Sequence, residues 1–183
     1  ITEDMDGLNI TATYKYVITF IDQGVTTKNE AQAEGATIVA PAETGKADYI
    51  VSGQFSKKAF QEAKKYGEVV VAGSSRDDNY TYIPDYTLSP DAKYVHITTN
   101  NTIYGTRFDH TPDTGNVPLV ADMSSNILSE VYDVSKFGLI YAGAQKNVAP
   151  AGVTIVVVRE DLLGKEMPIT PKVMSLKKMA DAD

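Results

Sequence analysis

The sequence predicts an α/β fold with a mostly parallel sheet and flanking helices. Apolar runs of strand length recur along its 183 residues, and several are continuous rather than alternating in polarity. Continuous runs are typical of strands covered on both faces, as in parallel sheets. Helical patterns and turn residues separate the runs, so strands and helices alternate. The length fits one domain with a full core, residues 1–183, rather than two.

Eight strands are predicted in chain order, at residues 16–21, 36–40, 49–51, 68–72, 94–98, 119–121, 139–141 and 153–158. A weak, alanine-rich pattern predicts a helix around 28–34. Residues 74–90 are rich in Asp, Ser, Tyr and Pro and show little periodicity. This composition favours a segment that runs over the surface.

The clearest helix is predicted over 56–66. Four residues at helical spacing form its apolar face, namely Ala59, Phe60, Ala63 and Tyr66. Ser56 is of a type that caps helix starts, and Gly67 is of a type that ends them.

Composition excludes several classes of function. Seventeen Lys and Arg against 24 Asp and Glu give a net charge of −7, which disfavours nucleic acid as a partner. There is no cysteine, so disulfides and cysteine metal sites are excluded, and no metal site is predicted. No apolar run approaches the roughly 20 residues that span a bilayer. We therefore expect a cytoplasmic protein that handles small molecules, with no membrane partner.

Polar residues follow three of the predicted strands, at 98–102, 122–125 and 145–147. Ligands of parallel sheets bind beyond the carboxyl ends of the strands, so these residues are expected to converge on one site. Lys146 lies in a turn of small residues between two apolar runs, and an amine held there is placed to form a Schiff base with an aldehyde. A solvated loop lysine is the alternative for Lys146 taken alone.

Asp122 directly follows the buried run 119–121. A carboxylate at the end of a buried strand is costly unless a cation lies beside it, and a protonated pyridine nitrogen would serve. A helix cap or turn residue is the alternative reading of Asp122 alone. The pair therefore favours a carbonyl cofactor with a cationic aromatic ring.

Longer segments carry a family resemblance, and they lie at 46–50, 56–59 with 62–67, 92–97, 100–103 with 105, 118–126 and 133–147. The last two segments are the most specific. Over about 46–163 the chain resembles the phosphoserine aminotransferases, class-V aminotransferases that use pyridoxal phosphate and have the aspartate aminotransferase fold. The resemblance implies transamination between L-glutamate and 3-phosphohydroxypyruvate in serine biosynthesis. It also implies a homodimer in the cytoplasm.

The resemblance assigns roles to particular residues. Lys146 matches the family's Schiff-base lysine, and Asp122 matches the carboxylate that pairs with the pyridinium nitrogen. Gln145 and Thr102 match neighbouring cofactor contacts. Phe55 stands where the family usually stacks a tryptophan on the pyridine ring, so stacking is expected in reduced form.

Other parts of the chain depart from the family. Residues 1–45 are diverged, and the expected phosphate loop is Gln23–Asn29, where Thr26 and Thr27 replace most of a glycine-rich turn. Their hydroxyls can still donate to an oxyanion, and an eroded loop that makes no phosphate contact is the alternative. The family's substrate-binding arginine segments have no match here, and 164–183 reads as a tail. Two hypotheses follow, namely an aminotransferase large domain with weakened activity, or a non-catalytic α/β scaffold that at most binds pyridoxal phosphate.

Overall fold

The computed structural model describes residues 45–182. The elements predicted at 16–21, 28–34 and 36–40 lie outside this range. Within it the strands are β1 (Lys46–Val51), β2 (Glu68–Ser74), β3 (Ala92–Thr98), β4 (Asn100–Asn101), β5 (Thr106–Arg107), β6 (Leu119–Asp122), β7 (Leu139–Gly143) and β8 (Thr154–Val158). The α-helices are α1 (Gln54–Ala63) and α2 (Leu176–Ala180), and single 3-10 turns lie at Arg76–Asp78, Val134–Lys136, Glu160–Leu162 and Lys172–Met174.

Six strands form one sheet in the order β2-β1-β3-β6-β7-β8. The first five are parallel to one another, and β8 pairs antiparallel with β7. Strands β4 and β5 form a separate small ladder. The predicted α/β class and mostly parallel sheet are therefore confirmed.

Both faces of the sheet are covered, as the continuous apolar runs predict. Side chains alternate between faces along a strand, and consecutive residues of the central strands fall into two different core clusters. The pairs are Tyr49 and Ile50 on β1, Val120 and Ala121 on β6, and Leu139 and Ile140 on β7. All six are at most 4% exposed, so the sheet is covered on both faces.

Helix α1 begins two residues before the predicted start. Gly53 occupies the cap position, and Ser56 lies in the first turn. The Ser56 hydroxyl accepts from the Gly53 amide at 2.9 Å and donates to the Gly53 carbonyl at 3.0 Å, so it closes the turn from inside. A Cβ atom on residue 53 would lie 2.6 Å from the Asn101 side chain, so this close approach requires glycine.

His96 is buried in the middle of β3, at 2% exposed. Its ring stacks on Tyr49 with 4.6 Å between centroids, and its Nε2 lies 3.0 Å from the Tyr141 hydroxyl. Burial lowers the pKa of His96 from 6.5 to about 3. The imidazole is therefore neutral in the folded protein at neutral pH.

Stability is expected to fall with acidity because of His96. The depressed folded-state pKa contributes stability that is fully present above pH 6.5 and lost as pH falls towards about 3. At roughly 1.36 kcal/mol per pH unit, the full window is worth about 4 to 5 kcal/mol. Urea unfolding of the wild type and His96→Gln at pH 7, 5.5 and 4 measures it. The variant should lose less stability between these pH values, and parallel pH dependences would contradict the assignment.

In residues 45–182, none of the helices combines the length and apolar character that a bilayer crossing requires.

Candidate active site

Four of the predicted site residues lie at the carboxyl ends of four adjacent parallel strands, β1, β3, β6 and β7. Here, this edge of the sheet means the side formed by those carboxyl ends. Phe55 lies in the first turn of α1, which follows β1. Thr102 directly follows the short strand β4, which comes after the carboxyl end of β3. Asp122 is the last residue of β6, and Lys146 lies in the turn after β7. Because these strands are neighbours and parallel, their carboxyl ends bring the four side chains to one place.

Lys146 is held by a compact turn. The amides of Val148 and Ala149 both donate to the Ala144 carbonyl at 3.0 Å, which closes the chain around the lysine. The Lys146 Nζ donates to Thr102 Oγ1 at 3.5 Å and lies 4.9 Å from the centroid of the Phe55 ring. The residue is exposed, so the amine is accessible to a molecule at this edge.

Asp122 is 8% exposed and fixed by its neighbour Ser124. Its Oδ1 accepts from the Ser124 amide at 2.9 Å and from the Ser124 hydroxyl at 2.6 Å. The same hydroxyl accepts from the Gly143 amide at 3.1 Å, which ties the carboxylate to the end of β7. The Asp122 carboxylate is therefore oriented by two strands.

Burial raises the pKa of Asp122 above its usual value of 3.8. Hydrogen bonds from Ser124, the charge of Lys146 and a hydrogen bond from Tyr141 all oppose this rise but do not cancel it. The carboxylate thus lies where a further cation would lower its free energy. The residues present fit a group that offers a cationic ring nitrogen to Asp122 and a carbonyl to Lys146.

Phe55 and Thr102 are positioned by contacts between the segment that joins β1 to α1 and the segment that follows β3. Asn101 Nδ2 donates to the Ser52 carbonyl at 2.8 Å, and Gln54 Nε2 donates to the Tyr104 hydroxyl at 2.9 Å. The half-buried Phe55 presents an aromatic face near the amine, which suits stacking on a planar ring. These contacts join the ends of β1 and β3 into one wall of the site.

Gln145 is half-buried beside Lys146. Its side chain lies against Gly143, where a Cβ atom would come within 2.8 Å of Gln145 Oε1. Thr26 and Thr27 lie outside the described residues. The cofactor contacts expected of these three residues stay predictions.

Three contributors to the site escaped the sequence reasoning. Ser124 lay within the polar segment 122–125 but carried no sign that it would hold Asp122. Tyr141 and His96 lie inside apolar strand runs, where a polar ring is most often a packed core residue. Only the pairing of β6 with β7 brings Tyr141 level with Asp122, and that register is a property of the fold.

Known proteins similar to this chain identify its family. Residues 8–178 match the Aminotransferase class-V family. A phosphoserine aminotransferase from Herminiimonas arsenicoxydans is 56% identical over 139 residues, which are 74% of this chain and 38% of that protein.

Solved structures of phosphoserine aminotransferases are similar to this chain. The phosphoserine aminotransferase from Bacillus circulans subsp. alkalophilus has a TM-score of 0.75 and 42% identity, over 79% of this chain and 42% of that one. The pyridoxal-phosphate-bound phosphoserine aminotransferase from Trichomonas vaginalis has a TM-score of 0.72 and 34% identity, with the same shares covered. The chain spans less than half the length of each of these three relatives. With the family match covering nearly all of its residues, the chain belongs to the class-V aminotransferases.

Proposed function

We propose that this chain is the cofactor-binding part of a phosphoserine aminotransferase. The activity would move an amino group between L-glutamate and 3-phosphohydroxypyruvate in serine biosynthesis, with pyridoxal phosphate as cofactor. The names and identities of its relatives support the substrate class. The observation that carries the proposal is the meeting of Lys146, Thr102 and Phe55 beside the buried Asp122.

Pyridoxal phosphate, when bound, supplies an aldehyde for amines and a protonated ring that withdraws electrons from the α-carbon of an amino acid. Lys146 would hold the aldehyde carbon and move the α-proton at its Nζ. Asp122 would keep the proton on the ring nitrogen. Phe55 would cover one face of the ring and exclude water there.

The remaining contacts would orient the cofactor. Thr102 and Gln145 would bind ring substituents or phosphate, and Thr26 with Thr27 would donate hydroxyls to the phosphate. In the proposed arrangement residues 1–183 form one large domain, with 1–45 diverged from the family and 164–183 a tail. We further propose a homodimer in the cytoplasm.

The test is a half-reaction on the full 183-residue chain loaded with pyridoxal phosphate. Addition of L-glutamate should convert the bound cofactor to its amino form, seen as a loss of visible absorbance. Subsequent addition of 3-phosphohydroxypyruvate should restore the absorbance. L-Glutamine is the matched control amino acid, since it lacks only the second carboxylate charge, and it should react more slowly.

The alternative of a non-catalytic scaffold predicts a different result. A chain that binds the cofactor but leaves its absorbance unchanged with glutamate would support the scaffold, because the site would then lack the groups that bring substrate to Lys146. A chain that does not bind the cofactor would contradict the proposed function and leave only the non-catalytic scaffold.

A further inference from the structure

Two buried polar side chains lie behind Asp122, inside the sheet. Tyr141 lies level with Asp122 where β6 pairs with β7, and its hydroxyl acts on the carboxylate as a donor that lowers the pKa of Asp122. The oxygen of Tyr141 lies 3.0 Å from His96 Nε2. Tyr141 is 4% and His96 is 2% exposed, so water does not supply alternative partners. The three groups form a continuous polar line across β6, β7 and β3.

The direction of the protons along this line follows from donor counting. A phenol has one proton, and burial raises the pKa of Tyr141 well above 10, so the phenol keeps that proton. If the proton is donated to Asp122, the bond between Tyr141 and His96 needs its proton from Nε2. His96 Nδ1 is buried with no hydrogen-bond partner among the described residues. A bare lone pair at Nδ1 agrees with this tautomer, whereas a proton there would be an orphaned donor.

We propose that Tyr141 and His96 are positioning residues for Asp122, which act as a one-way donor chain from His96 Nε2–H through the Tyr141 hydroxyl to the carboxylate. The chain keeps the carboxylate oriented and ionised towards the cation that the site binds. The inference rests on the proposed function, since that cation is the ring nitrogen of pyridoxal phosphate.

The surroundings of the chain explain why it is needed. Burial opposes ionisation of Asp122, and the groups that favour it are Ser124, Lys146 and Tyr141. Lys146 would be bonded to the aldehyde carbon of the bound cofactor, whereas Ser124 and Tyr141 remain as donors to the carboxylate. Neutral donors stabilise the carboxylate without adding a positive charge that would compete with the ring nitrogen for it.

His96 suits this task because burial keeps it neutral down to about pH 3. The groups facing Tyr141 are Asp122, His96, Tyr49 and Tyr94. Tyr49 and Tyr94 bond to each other through their hydroxyls at 3.0 Å and form a separate pair. The donor chain therefore carries no net positive charge at neutral pH.

The test compares Tyr141→Phe with Tyr94→Phe. Each removes one buried hydroxyl from the same core cluster, and only the first touches the donor chain. In the chain without cofactor, the carboxyl titration of Asp122 is followed by carbon-13 NMR and assigned with Asp122→Asn. We expect its midpoint to rise by about one pH unit in Tyr141→Phe and by less than about 0.3 in Tyr94→Phe.

One further readout extends the test. Nitrogen-15 shifts should show the Nε2–H tautomer of His96 in the wild type. If Tyr141→Phe does not fold, His96→Leu and His96→Gln take its place, and the glutamine, which retains an amide donor, should leave the midpoint closer to wild type.

The inference would be overturned if the titration midpoint of Asp122 did not change in folded Tyr141→Phe, or if Tyr94→Phe changed it equally. A proton on His96 Nδ1 in the wild type would also overturn it. A wild-type chain that does not retain pyridoxal phosphate would instead contradict the proposed function. The cofactor-free titration decides the donor chain separately in that case, so the two failures are distinguishable.

Discussion

Replacement of Lys146 by alanine is expected to abolish the glutamate half-reaction. In the proposed function its amine both bonds the aldehyde carbon and moves the α-proton, and the neighbouring hydroxyl of Thr102, which contacts Nζ, is too weak a base to replace it. Proton transfer by a positioned group is worth roughly 10²- to 10⁴-fold, so the rate should fall by at least about 10³-fold once attachment is also lost. Stopped-flow absorbance after mixing with glutamate measures it.

The matched control is Lys136→Ala, which removes a lysine from an exposed 3-10 turn away from this edge of the sheet. It should react at the wild-type rate. Since Lys146 is exposed, both variants should also unfold at nearly the wild-type urea concentration. A Lys146→Ala chain that still reacts with glutamate would show that another lysine carries the chemistry.

Asp122→Asn is expected to separate function from stability. The variant keeps the shape of the side chain and an oxygen to accept from Ser124, but it loses the charge that holds the ring proton. Removal of one preorganised electrostatic partner costs roughly 10²- to 10³-fold in rate. The glutamate half-reaction should therefore slow by that factor, and stopped-flow absorbance measures it. An Asp122→Asn rate equal to that of wild type would contradict the pairing role.

The free energy of unfolding of the same variant, compared with wild type, should increase with pH although its reaction rate falls. Burial raises the folded-state pKa of Asp122, so its contribution to stability is present below the unfolded value near 3.8 and is lost as pH rises through the folded value. Asparagine cannot titrate, so it escapes this loss. The free energy of unfolding of Asp122→Asn relative to wild type should therefore increase from pH 4 to pH 8. A constant difference across urea titrations at these pH values would contradict the raised pKa.

The sheet was predictable from the sequence because its strands are covered on both faces. A strand with one exposed face would need polar residues at alternate positions, and the runs 119–121 and 139–141 are apolar at successive positions apart from the Tyr141 hydroxyl. The position of the polar residues along the chain also predicted the site, since Asp122 directly follows one apolar run and Lys146 lies in the turn after another, so both lie at carboxyl ends. The direction of β8 was not predictable, because a short apolar run reads the same in either orientation.

Helix α1 shows why element ends were harder to predict. Its start depends on Gly53 fitting against Asn101, a contact between loops after two different strands. Ser56 is a good cap by residue type, yet it lies in the first turn because its hydroxyl bonds back to Gly53. Residue preferences therefore identified the residues near the start of the helix, and the contact between Gly53 and Asn101 determines its first residue.

The donor groups around Asp122 were hidden for a similar reason. Tyr141 and His96 are 45 residues apart and meet only because β6 lies between β3 and β7 in the sheet. Within the sequence each looks like an aromatic member of a buried run. Their chemistry arises from register, which sequence periodicity does not specify.

The central claim is that this edge of the sheet holds pyridoxal phosphate on Lys146, and covalent trapping tests it most directly. The 183-residue chain is mixed with pyridoxal phosphate, reduced with borohydride, digested and examined by peptide mass spectrometry. We predict one predominant modified peptide, with the added mass on Lys146, and its loss in Lys146→Ala. A label spread over exposed lysines, a label on another single lysine or no label at all would contradict the claim.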